Sequence, residues 1–124
     1  MPIHLLIVGA GGFLGAIVRY LISGWCAKAC GTRFPAGTLL VNVTGSFLLA
    51  LIITLLVERL LAAPEWRLFW GIGFLGAYTT FSTFAWETDA LVREGSFLLA
   101  AGNIMGNVVF ALIAVKLGTM LARL

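Results

Sequence analysis

The stretch Leu68-Phe69-Trp70-Gly71-Ile72-Gly73-Phe74-Leu75-Gly76-Ala77-Tyr78-Thr79-Thr80-Phe81-Ser82-Thr83-Phe84-Ala85-Trp86 carries no Asp, Glu, Lys or Arg. It is long enough to cross a hydrocarbon layer about 30 Å thick as a helix, and too long and too continuously apolar for a barrel strand. Its middle is a poor sequence for an unbroken lipid-facing helix. Gly71, Gly73 and Gly76 are followed by the hydroxyls of Thr79, Thr80, Ser82 and Thr83. A break between Gly76 and Thr80 would free main-chain N–H and C=O groups. These survive at membrane depth only where they line a cavity, bind an ion or are buried in protein. The other reading is a continuous helix whose hydroxyls bond back to carbonyls one turn earlier. The stretch alone does not separate the two.

Three more apolar stretches flank it. Ile3 to Trp25 is interrupted by His4, Arg19 and Ser23, Leu39 to Val57 is uncharged, and Ser96 to Val115 runs up to Lys116. Together they predict an all-α integral membrane protein, one domain over residues 1–124, with four transmembrane helices near 3–25, 36–58, 67–89 and 95–118, the third broken near its middle. Composition agrees: 61% of the 124 residues are hydrophobic and 10% charged, where soluble domains average about 45–50% and about 25%. No Lys or Arg precedes the first stretch, so it reads as a retained span and not a secretory leader. Cys26 and Cys30 offer no disulfide framework and too few ligands for structural zinc. They read as packing residues.

Four spans place the N-terminus, the second loop and the C-terminus on one side. Arg59, Arg67, Lys116 and Arg123 then lie on that side and Lys28, Arg33 and Arg93 on the other, with Arg19 near the latter. Lys and Arg bias sets orientation, so a near tie predicts insertion both ways up and an antiparallel, dual-topology homodimer about a two-fold axis in the membrane plane. An accidental tie is the alternative. A four-helix bundle fills its own centre, so a second copy would also supply the wall that a pore needs. Gly11 with Gly15, and Gly102 with Gly106, permit close helix contact.

Polar groups in hydrocarbon are costly unless paired. Asn42 with Ser46, and Asn103 with Asn107, each share a helix face at i, i+4. Each asparagine reads as interhelical glue or as a site residue. Phe81 and Phe84, at i, i+3, read as packing or as ring edges of positive potential turned toward a small dehydrated anion. No cationic side chain lies mid-span on helices two to four, while Arg19 and the net charge of +3 would concentrate anions at the vestibules.

The motifs Gly11-Gly12-Phe13-Leu14-Gly15-Ala16 with Arg19-Tyr20, Gly37-Thr38-Leu39-Leu40-Val41-Asn42-Val43-Thr44-Gly45-Ser46-Phe47, and Gly73-Phe74-Leu75-Gly76 with Thr79-Thr80-Phe81-Ser82-Thr83-Phe84 and Glu87 closely resemble the Fluc (CrcB-type) family of fluoride channels. The resemblance covers the whole chain. It implies a dual-topology homodimer with two fluoride pores and a structural sodium ion (Na+) at its centre. Phe81, Phe84 and Asn42 then look like pore residues, with Asn107 a weaker assignment. Ser82 and Thr83 resemble the polar track that hands fluoride onward. Arg19 and Glu87 look like vestibule residues, and the carbonyls of Gly76 and Thr79 like sodium ligands. Ala77 departs from the pattern, standing where the family more often has a glycine, and the family's pore tyrosine has no counterpart in the fourth span. The implied function is passive export of fluoride across a bacterial plasma (inner) membrane, conferring fluoride resistance. The implied partners are fluoride, a second copy and lipid, with no nucleic acid.

Two other readings share the size and span count. A small dual-topology multidrug exporter would need a membrane-embedded carboxylate, and none lies between Leu39 and Val57 or Leu68 and Trp86. A non-transporting assembly subunit would use the glycines and amides for packing alone. An enzyme lacks any intramembrane nucleophile–base pair or metal-ligand set.

Overall fold

The computed structural model describes residues 1–124 as helices joined by short loops. Helix α1 is Pro2–Cys30, α2 is Ala36–Arg59, α3 covers residues 64–78, α4 is Phe81–Arg93 and α5 is Phe97–Arg123. Three of them, α1, α2 and α5, are long and apolar enough to cross a membrane singly. The third crossing is divided between α3 and α4, separated by Thr79 and Thr80 in extended conformation (φ −87°, ψ 156° and φ −151°, ψ 123°).

The break therefore falls on the two threonines, one turn past the glycines. Gly71, Gly73 and Gly76 stay helical, and the turns over Leu68–Leu75 are widened to the π form. Two of these glycines serve close approach. A Cβ on Gly73 would lie 2.7 Å from the Val8 carbonyl oxygen and 3.1 Å from Gly11 Cα, and one on Gly71 would press on Ile53. On α1, Gly11 and Gly15 sit directly against the Phe69 and Phe74 carbonyls. The expected Gly11/Gly15 contact is thus the α1–α3 crossing. In the Gly102/Gly106 pair, Gly106 is buried against Leu39 and Gly102 faces open space.

On the opposite side α2 packs along α5, where Gly118 lies against the Phe47 carbonyl. Arg123 clamps Glu58 through two hydrogen bonds of 2.9 and 2.7 Å, and Arg59 Nε donates to the Ala122 carbonyl, so the ends of α2 and α5 are tied together. Val41, Leu75 and Tyr78 form the centre, with Val18, Ile22, Leu48, Ile52 and Phe74 around them. Thr44 Oγ1 gives its one proton to the Leu40 carbonyl, so the Tyr78 hydroxyl, 2.8 Å away, must be the donor to Thr44. Only 19 of 124 residues are buried, and most large apolar side chains point outward. Such a surface suits lipid and a neighbouring helix bundle, and water would not tolerate it.

Candidate functional site

The site is built around the break. A helix that stops at Tyr78 leaves carbonyls without partners, and one that starts at Phe81 leaves N–H groups without partners. Thr80 caps α4: its Oγ1 accepts from the Thr83 N–H at 3.3 Å and donates to Thr83 Oγ1 at 3.0 Å. The Thr80 main chain itself is held from α2. Its N–H donates to Asn42 Oδ1 at 2.8 Å, and its carbonyl accepts from Asn42 Nδ2 at 3.0 Å. The asparagine amide thus stands in for a strand neighbour, satisfying both backbone groups of the extended residue.

The second Asn42 amide proton goes to Asn107 Oδ1 at 2.8 Å. Asn107 Nδ2 reaches the carbonyl (2.9 Å) and Oδ1 (3.0 Å) of Asn103, and Asn103 Nδ2 donates to Thr88 Oγ1 at 2.9 Å. Asn103 and Asn107 are buried and fully bonded. Of the residues expected at a site, Asn42, Phe81, Phe84 and Asn107 come together. With Ser46, Leu49, Thr79, Thr80, Val108 and Ala111 they line a groove of about 260 Å³. Phe84 is buried and Phe81 is 78% exposed, its face turned out of its own subunit. The two rings meet edge to face, centroids 5.4 Å apart at 62°.

Ser82 and Thr83 lie elsewhere. Neither lines the groove, because Thr83 is engaged in the α4 cap and Ser82 sits outside it, 3.5 Å from Thr80 Oγ1. Glu87 lines a second cavity of about 450 Å³, with Thr38, Arg33, Ser23 and Glu94, at the end of the bundle formed by the α1–α2 and α4–α5 loops. Its Oε1 accepts from Thr38 Oγ1 at 2.8 Å, and its buried Oε2 has no partner. Arg19, expected beside it, is one turn short of Ser23 and outside this wall. Gly76 is exposed on the outer face, and its carbonyl gains no bond from Thr80, whose N–H is turned to Asn42. Thr79 Oγ1 donates to the Leu75 carbonyl at 2.9 Å. Cys26 is a buried free thiol and Cys30 an exposed one.

Three pairings were invisible to local pattern: Thr38 with Glu87, Thr44 with Tyr78, and Asn103 with Thr88. The available signal was weak: Thr88 lies one turn beyond Phe84, on the same face.

A family model described as CrcB-like protein, Camphor Resistance (CrcB), matches residues 6–119. A relative from Solibacter usitatus (strain Ellin6076), named fluoride-specific ion channel FluC, is 48% identical over 118 residues, 95% of this chain and 97% of its own. Relatives of the same name from Koribacter versatilis (strain Ellin345) and Rhizobium meliloti (strain 1021) are 48% identical over 108 residues and 42% identical over 120. The alignments cover 87% and 97% of this chain and 86% and 96% of theirs. With a helical break clamped from α2, amides meeting from α2 and α5, and near full-length similarity to these proteins, the chain belongs to the CrcB family of multi-pass membrane proteins.

Proposed function

We propose that this chain is a fluoride-selective ion channel that exports the anion passively, with no catalytic step. The observation that carries the reading is the groove in which the edge-to-face pair Phe81 and Phe84 adjoins the Asn42–Thr80 clamp, with no fixed cation in its wall. Ring edges and hydroxyls stabilise a small anion weakly enough to let it leave. A lysine there would hold it. The names of the relatives supply the ion. Neutral hydrogen fluoride crosses lipid and ionises in a near-neutral cytoplasm. An inside-negative potential, worth about 2.3 kcal/mol per charge per 100 mV, then drives the anion out.

The groove is open on one side, and Phe81 faces away from its own subunit. A second copy in the opposite orientation closes it, and the near-equal distribution of Lys and Arg supports such pairing. Sodium fits the same arrangement. The Gly76 and Thr79 carbonyls lie at the negative end of α3, and oxygen-only donors suit a hard cation. Two copies would offer both pairs to one ion, which would hold the two breaks together. A cation exporter gains no support, since the groove contains no carboxylate.

Purified protein in liposomes should release fluoride quickly and retain chloride, and should release fluoride more slowly when sodium is replaced on both sides by a bulky organic cation. Equal leakage of both anions, or none, would refute the channel. Release indifferent to sodium would remove the ion from the reading. For orientation, a single cysteine added after Leu124 should be labelled by an impermeant reagent from both faces of the membrane. Labelling from one face would refute antiparallel pairing.

A further inference from the structure

The amides and hydroxyls behind the groove form one closed, one-way circuit. The Thr80 N–H can only donate, so Asn42 must present Oδ1 to it and turn its NH₂ toward Asn107. Asn107 must then present oxygen to Asn42 and NH₂ to Asn103, and Asn103 must present NH₂ to Thr88. Thr88 Oγ1 passes its proton to the Phe84 carbonyl at 2.7 Å, a group that can only accept. Both ends impose the same polarity. Both also lie on the main chain of a single turn of α4, the turn that carries Phe81 and Phe84. Each bond in such a chain polarises the next. The circuit crosses from α4 to α2, to α5 and back, so it fixes that turn against both neighbours.

We infer that Asn103 and Thr88, neither of which lines the groove, are positioning residues that hold the Phe81–Phe84 turn and the Asn42 clamp in conducting geometry. The inference rests on the channel reading and deepens it. The two residues act through the circuit and touch no ion.

The test is fluoride efflux from liposomes at low protein density. The amplitude counts vesicles holding an active protein, and the rate reports turnover per protein. Thr88→Val and Asn103→Leu should each lower the rate about tenfold at unchanged amplitude, and the double variant should be no slower than the slower single one, because one circuit is broken once. Thr88→Ser, which restores the hydroxyl, should return the rate to near that of the natural protein. An additive double variant, or a lowered amplitude at normal rate, would overturn the inference by showing two separate structural contacts. Hydrogen–deuterium exchange gives a reading independent of transport: Thr88→Val should speed exchange of the Thr80 N–H, a group the substitution does not touch. Unchanged protection there would overturn the circuit, whereas efflux absent from the natural protein with exchange as expected would fault only the channel reading.

Discussion

Liposomes carrying Asn42→Leu should release fluoride at least about a hundredfold more slowly than those carrying the natural protein, because each polar group the amide leaves behind costs about 1–3 kcal/mol. Three are left: the Thr80 N–H, the Thr80 carbonyl and Asn107 Oδ1. Leucine is close to asparagine in shape, so packing changes little and the loss is one of hydrogen bonding. Water has limited access at this depth, and the two extended residues have no other partner of fixed geometry. The α3–α4 junction should then move to satisfy itself, carrying Phe81 and Phe84 with it. Gel filtration in detergent separates this outcome from misfolding: the variant should elute with the natural protein. A properly eluting variant with undiminished release would show that the clamp is dispensable.

The second large effect is on assembly of the bundle. Gly15→Ala should prevent recovery of a monodisperse protein, because the added methyl would land on the Phe74 carbonyl and its Cα. Overpacking ordinarily costs about 1–3 kcal/mol where side chains can yield. Here the obstacle is backbone within the widened turns of α3, so α1 must back away along its length. Gly12→Ala is the matched control. Its Cβ would find the Gly73 carbonyl oxygen at 3.8 Å and the Ala77 Cβ at 4.0 Å, both ordinary contacts. Gly12→Ala should purify as the natural protein does, with Gly15→Ala aggregating or failing to express. Comparable yields of the two, measured by fluorescence-detected gel filtration, would contradict the crossing.

The spans were legible because lipid enforces a simple rule on charge, and the uncharged run from Leu68 to Trp86 obeys it without ambiguity. The break was legible as a region and was misplaced in detail. Glycines and hydroxyls both weaken a helix, and the sequence around Gly76 contains both. What selects Thr79 and Thr80 is an amide 38 residues away that binds the Thr80 main chain, a long-range choice that no local propensity encodes. The same limit applies to hydroxyls. Thr83 and Ser82 looked like part of an ion track, yet Thr83 is spent on capping α4, a use that a run of Thr and Ser permits equally well. Asn42 and Asn107 were recoverable because spacing by four puts each on a defined face. Their partner Thr88 was not, because nothing in a single threonine announces a bond across helices.

The widened turns carry a further consequence, in the arithmetic of insertion and deletion. A π-type turn accommodates one residue more than an α-turn, and each residue in a helix is worth about 100° of rotation. Such turns occur at Leu55–Arg59, Leu68–Leu75 and Gly106–Phe110. In the last of these the Asn107 side chain bonds the Asn103 carbonyl beside the widened backbone. Tightening that turn by removing one residue would rotate all of Ala111–Arg123 by about 100°. Gly118 would swing away from the Phe47 carbonyl, and Arg123 from Glu58. The angular phase of the span, and so the match between its two ends, is therefore set by how many residues it contains as well as by which residues they are.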